Sequence, residues 1–413
     1  MLNASVLGVA AAAALLAMLP AQAQQGMQGA ASFPDGPGKE PFLATCGGCH
    51  DINRARGGYT PEGWRTVVQM MSNFGGGGPP EQRATLTEYL IKSFPEPARP
   101  AAKLIDGPAQ AAIKLFDVPT PGSRPHDPLA AKDGSIWYTG QMSNKLGRVD
   151  TKTGTVKEFA LKTERTGPHG LTEDKDGNVW FTGNHAALIG KLDPRTGAVT
   201  EFMMPDANVK DPHTLAMDKR GNVWFTAQQS NVIGRLDSRT GEVKVIPVPT
   251  PAARPYGLLV NSKGVPVFCE FGSNKLGTVD PDTLQIKEHT LPNAASRPRR
   301  IAIGPDDAVW YADFARGYLG RLDLGTGEHK EWPSPSGAKS APYGMVFTKG
   351  AVWYNESFAK PNTIVRFDPR TETFQSWPIP GGGEIVRNMD VTAEGNPVTA
   401  NSLVNKVGLV EVK

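Results

Sequence analysis

At 413 residues the chain is too long for one small compact domain, and two domains are the natural expectation. A net charge of +3 excludes strong electrostatic recruitment to nucleic acid. Glycine (46) and proline (36) make up about a fifth of the residues, which disfavours a helical enzyme and suits an all-β protein with many turns. There are three cysteines, two of them in one short motif, so a disulfide framework is not expected.

Residues 1–23 read as a secretory leader. Val6–Leu19 is apolar and alanine-rich, and Ala21-Gln22-Ala23 is an A-x-A pattern, so cleavage is expected after Ala23. The segment before that core carries no Lys or Arg, a departure from the usual leader. The apolar run is short for a bilayer span, and no other segment looks transmembrane. The mature chain is therefore expected in the periplasm, without a membrane anchor.

Residues 33–100 read as a small helical domain built around Cys46-Gly47-Gly48-Cys49-His50. Two thiols three positions apart can each add to a vinyl group of one haem, and the adjacent imidazole can reach the iron. Haem attachment to such a motif takes place outside the bacterial cytoplasm, in agreement with the leader. Thr60-Pro61-Glu62 is a strong helix start, followed by Trp64, Val67, Val68 and Met71 on one apolar face. Pro79-Pro80-Glu81 opens the next helix, with Leu86, Tyr89, Leu90 and Phe94 inside. No histidine follows His50 until His126, so the second axial iron ligand is expected to be Met71, on the apolar face, rather than Met70. A zinc site would need two more ligands nearby, and a redox dithiol would not need His50. The spacing of Trp64, Met71 and Gly75 behind the Cys-x-x-Cys-His motif, with Glu88-Tyr89-Leu90 in the last helix, resembles a class I c-type cytochrome. The resemblance implies a single covalent haem c, held by Cys46 and Cys49 and ligated by His50 and Met71. It also implies electron exchange with a redox partner protein or a small-molecule donor or acceptor.

Residues 101–112, rich in proline and alanine, read as a linker. Beyond them the chain is periodic. Trp137, Trp180, Trp224, Val267, Trp310, Trp353 and Val398 recur every 43 to 45 residues, each inside a short β-rich run. Each unit holds four alternating strands with Asp-Gly, Gly-Asn or Thr-Gly turns, the pattern of a propeller blade. Seven units predict a seven-bladed all-β propeller over 113–413. The last unit lacks a fourth strand, and Ile113–Pro119 matches one, so the N-terminal strand is expected to complete the last blade and hide both sheet edges. The repeats resemble the streptogramin lyase (virginiamycin B lyase) family through the Trp-Phe-Thr strand, the Asn-x-Ile-Gly-Arg-Leu strand and the closing Glu-Phe-x-x-Pro.

The residue after the opening proline of each innermost strand, or its equivalent, should line the central funnel: His126, His169, His213, Tyr256, Arg299, Tyr343 and Arg387. A second ring is expected from Gly140, Gly183, Ala227, Glu270, Asp313, Glu356 and Asn401. Imidazoles and acids together offer a divalent metal site or general acid–base chemistry. The family resemblance implies a histidine base and glutamates that hold magnesium, one two residues before the histidine and one fourteen after. Asp211-Pro212-His213 comes nearest, but Ala227 stands where the second acid is expected. His126 and His169 meet glycine at that offset, and no single blade keeps the whole set. The basic cluster Arg297, Arg299 and Arg300 could hold an anion at the funnel mouth. Cys269, in a buried strand, is expected to be inert. Three functions follow: a haem electron carrier whose propeller binds a small molecule or partner, a metal-assisted lyase, or a binding module without catalysis.

Overall fold

The computed structural model describes residues 33–47 and 50–413. The leader and Cys49 therefore lie outside the described residues. The chain divides into two compact units, Met1–Ala98 and Arg99–Lys413. No helix among the described residues is long and apolar enough to cross a membrane.

In the first unit, helices α1 (Lys39–Cys46), α2 (Pro61–Asn73) and α3 (Pro80–Ser93) are joined by a 3-10 turn at Ile52–Gly57. The Thr60 hydroxyl accepts the Gly63 N–H at 3.0 Å, and Pro61 fills the first helical position, where no N–H is needed. Phe42, Trp64, Val68, Leu86, Tyr89, Leu90 and Phe94 form the core. The Trp64 indole N–H donates to the Phe94 carbonyl at 2.7 Å, so the largest core ring buries no unpaired donor. The face of α2 departs in part from expectation. Trp64 and Val68 are buried, but Val67 and Met71 are only half-buried, while Met70 is 3% exposed.

The second unit consists of seven four-stranded antiparallel sheets. The innermost strands are Pro125–Ala130, Pro168–Glu173, Pro212–Met217, Pro255–Val260, Pro298–Ile303, Pro342–Thr348 and Val386–Val391, one for each of blades one to seven. The outermost strand of blade seven is Ala111–Asp117, which pairs with Lys406–Val412 so that Phe116 faces Val407. The ring is closed as the missing fourth strand required. Sheets pack face to face through the repeat aromatics. Trp137, Trp180, Trp224 and Trp353 are fully buried, and Trp137 stacks on Phe159 and Trp180 on Phe202. The segment expected as a linker, 101–112, is pinned to blade six and runs into the closing strand: Ala102 N–H donates to the Lys360 carbonyl at 3.1 Å, and Ile105 N–H to Ser376 Oγ at 2.9 Å.

All seven innermost strands carry a bulge at the same place. In blade one, Pro125 pairs with Gly140 and Pro128 with Tyr138, so His126 and Asp127 together oppose Thr139. The same shift follows Pro168, Pro212, Pro255, Pro298, Pro342 and Val386. A bulge re-aims side chains and leaves an N–H without its ladder partner. The Thr of the Trp-Phe-Thr strand supplies that partner. Thr182 Oγ1 accepts the Gly170 N–H at 2.8 Å and donates to the His213 carbonyl of the next blade at 2.7 Å. Thr139 and Thr226 repeat this bridge, and in blade four Cys269 takes the role, accepting from Gly257 and donating to the Arg299 carbonyl. Cys269 is thus a structural thiol, and burial pushes its pKa up to about 12.

Candidate functional site

The bulges turn a ring of side chains into the bore. His126, His169 and His213 stack in sequence with centroids 3.7 Å apart, and His213 meets Tyr256 at 4.1 Å. The hydroxyls of Tyr256 and Tyr343 share a short hydrogen bond across blade five. Arg299 lies among aromatic rings, its guanidinium carbon 3.9 Å from the Tyr343 centroid, 4.3 Å from Phe314, 4.7 Å from Phe271 and 5.0 Å from Tyr256. The seventh member, Arg387, is half-buried and donates through Nε to Ser402 Oγ. The expected first ring is therefore one contiguous cluster over most of its circumference.

One residue further along the same strands lies a second layer, of which the sequence pointed only to Arg300, as an anion holder at the funnel mouth. Arg300 of blade five reaches across the bore, donating to Asp127 Oδ1 of blade one at 2.9 Å and to Thr214 Oγ1 of blade three at 3.0 Å. Asn388 of blade seven donates to Asp127 Oδ2 at 3.0 Å. Asp127 and Arg300 are 2% and 3% exposed, so this is a buried ion pair acting as a bolt through the channel. Below it is a cavity of ≈ 360 Å³ whose wall includes Leu171, Leu215, Leu258, Ile301, Met345 and Met389. The signal was present in the repeat: this position carries Gly170, Thr214, Gly257 and Gly344 in other blades, and only blades one and five carry charge.

His126 Nδ1 lies 2.8 Å from Asp127 Oδ1. An ionised carboxylate only accepts, so Nδ1 carries the proton and Nε2 keeps the lone pair. Burial, reinforced by the neighbouring imidazole and by Arg387, Arg124 and Arg300, holds the His126 pKa well below its ordinary value. Burial together with nearby arginines does the same for His169 and His213. All three rings are neutral bases at physiological pH. Burial pushes Asp127 up to about 6 against the pull of Arg300 and Asn388. His169 Nδ1 is buried without a hydrogen-bond partner.

The acids of the expected second ring do not join this cluster. Glu270 accepts from Ser273 Oγ, Asp313 from Arg316, and Glu356 from Ser334, Ser336 and Thr363. The partners of Glu270 and Asp313 lie within their own blades, and Glu356 ties blade six to Ser334 and Ser336 at the end of blade five. Burial raises the Glu270 pKa to about 7.

The magnesium site that the resemblance implies does not fit these residues. Asp211 accepts from Asn184 and from the Gln229 N–H, and Ala227 offers no ligand. His126, Asp127 and His169 bring ligand atoms within 4.8 Å of one another, but magnesium favours an oxygen cage over imidazole. The Asp127 oxygen nearest His126 is already held by Arg300. A divalent ion there would stand about 5 Å from the guanidinium, a repulsion of roughly 7 kcal/mol at an effective dielectric near 20.

In the helical unit, Cys46 is half-buried at the end of α1 and Met71 half-buried on α2. His50 is exposed and donates through Nδ1 to the Asp51 carbonyl at 3.1 Å, which leaves the lone pair on Nε2.

Residues 105–367 match the Virginiamycin B lyase family. Among solved structures, a streptogramin B lyase is 26% identical over 73% of this chain and 98% of its own, with a TM-score of 0.67. Virginiamycin B lyase from Staphylococcus aureus is 23% identical over 73% of this chain and 99% of its own, TM-score 0.67, a likeness of fold. A catalytically inactive form of that enzyme with quinupristin gives a TM-score of 0.66 at 23% identity and the same coverage. No protein of curated function matches significantly. With the matched segment spanning more than half of its residues, the chain belongs to the virginiamycin B lyase family.

Proposed function

We propose that the propeller bore performs lyase-type proton transfer, with His126 as the base and Asp127 as its orienting carboxylate. The observation that carries the reading is the buried His126–Asp127 pair, which fixes the tautomer and leaves Nε2 free to accept a proton. In an elimination, Nε2 takes a proton from the carbon beside a carbonyl, the C–H electrons become the new C=C bond, and the C–O bond breaks toward oxygen. No water is consumed and no metal step is needed. Quinupristin, present in the structure of a family relative, is the test substrate. Elimination should yield a ring-opened product of unchanged mass, abolished by H126Q. Absence of ring opening, a gain of one water, or survival of the rate in H126Q would sink the assignment.

A second reading concerns the helical unit and rests on the His50 ring, whose Nδ1 contact leaves Nε2 for a metal. In it, Cys46 and Cys49 would hold one haem c as thioethers, and His50 and Met71 would ligate its iron. The haem would supply one-electron chemistry, and the unit would exchange electrons with a redox partner protein or small molecule after export to the periplasm. A visible spectrum of the exported protein tests it, together with the mass of its N-terminus. Lack of covalent haem refutes this reading and leaves the first intact.

A further inference from the structure

We infer that the bore takes a small organic anion, a carboxylate on a flat apolar body, anchored by Arg299 at the foot of an aromatic cup. The inference rests on reading the bore as the active site and gives it, beside the macrocycle that tests the elimination, a second and smaller ligand class. Four rings cover the faces of the Arg299 guanidinium, yet its N–H donors point from the edges and need acceptors in the plane. Among the described residues only the Tyr256 hydroxyl provides one, at 3.3 Å. Its Nε is buried without a partner, and among the described residues no carboxylate pairs with it. Nearby Arg300, 3% exposed, also leaves its Nε unpartnered.

Charge points the same way. Arg299, Arg300 and Arg387 face a single carboxylate, Asp127, which is already bound by Arg300. The imidazoles beside them are neutral, and among the described residues the other groups near Arg299 are the hydroxyls of Tyr256 and Tyr343, not carboxylates. A planar guanidinium with free edges is matched by the fork of a carboxylate. Above Arg299, Phe271 meets Phe314 at 5.9 Å and Phe314 meets Phe358 at 5.6 Å, both edge to face. Phe358 is 38% exposed, so the cup opens to solvent and presents apolar rings to whatever the arginine holds. The imidazoles of blades one to three lie across the bore from this anchor, where a reacting carbon beyond the carboxylate would stand.

The test uses the full chain and three probes in titration calorimetry: benzoate, the uncharged benzyl alcohol, and inorganic phosphate. Benzoate should bind saturably and at least about tenfold more tightly than either of the others, and R299Q should weaken it roughly ten- to hundredfold. R299K, which keeps the charge and serves as a folding control beside the melting curve of R299Q, should recover only part of the loss. H126Q should stop turnover but hold benzoate affinity within about twofold, so failure of the base assignment and failure of the anion site are separable. Equal binding of benzoate and benzyl alcohol, or unchanged benzoate affinity in R299Q, overturns the proposal. Equal binding of phosphate and benzoate overturns the ligand class.

Discussion

Replacing Arg300 with methionine tests the bolt across the bore. The substitution keeps most of the side-chain volume and deletes one charge from a pair whose partners are 3% and 2% exposed. Asp127 would keep His126 and Asn388 but lose its counter-charge. Removing one partner of a buried ion pair costs about 3–5 kcal/mol. For a propeller of about 315 residues the unfolding entropy is roughly 0.66 kcal/mol/K, so the melting temperature should fall by about 5–8 °C. The loss should depend on pH in a defined direction. Burial has raised the Asp127 pKa to about 6, above its ordinary 3.8. A raised carboxyl favours folding while it stays protonated below its unfolded pKa, and that advantage disappears as pH climbs through the folded value. Near pH 5 Asp127 is largely neutral in the parent protein, so R300M there should lose little more than a hydrogen bond to Thr214. Calorimetric melts at pH 7.5 and pH 5 make the comparison. Equal losses at the two pH values, or a loss under about 2 °C at pH 7.5, would refute the buried ion pair as described. The D127N/R300M double substitution, which removes both charges, should recover most of the stability at pH 7.5.

Turnover should show an acid limb near pH 6, where Asp127 loses its charge, and D127N should lower the rate by about a hundredfold or more while flattening that limb, measured as kcat against pH. T182V should cost about 1–3 kcal/mol by stranding the Gly170 N–H and the His213 carbonyl, read as a lower denaturation midpoint in urea. F116D, which puts a charge into the closing seam, should destabilise by at least about 3 kcal/mol and expose residues 111–117 to limited proteolysis. Chelation with EDTA should leave the elimination rate unchanged; a loss restored by magnesium would overturn the argument from Arg300.

The architecture was legible because repetition multiplies weak signals. One Val-Trp-Phe-Thr run is an ambiguous strand, but seven recurrences at a fixed interval admit few folds. Closure was legible too, since a missing fourth strand at the C-terminus and a spare one before residue 119 require each other. The site was read in part. His126, His169, His213, Tyr256 and Arg299 were placed by their step after proline, and the structure brings them together. Asp127 was missed, and Arg300 was expected as an anion holder at the funnel mouth rather than as a buried partner of Asp127, because alternation implies that only every second residue faces the bore. A bulge breaks that rule and aims consecutive residues inward, and no single-sequence pattern announces it except a Thr or Cys opposite. Glu270, Asp313 and Glu356 were expected in a second ring, but polar partners close by in the fold hold them: Ser273, Arg316, and the pair Ser334 and Ser336.

The closing seam also fixes an order of events during synthesis. Asp117 and its partner Lys406 are 289 positions apart. At roughly 5–20 residues per second, the strand that seals the ring waits about 15–60 s after it is made for its partner to exist. During that interval six blades can assemble in succession while the first-made strand stays unpaired. The ring becomes whole only when the final residues arrive, and a ribosome that stops short would leave an open edge for quality control to find.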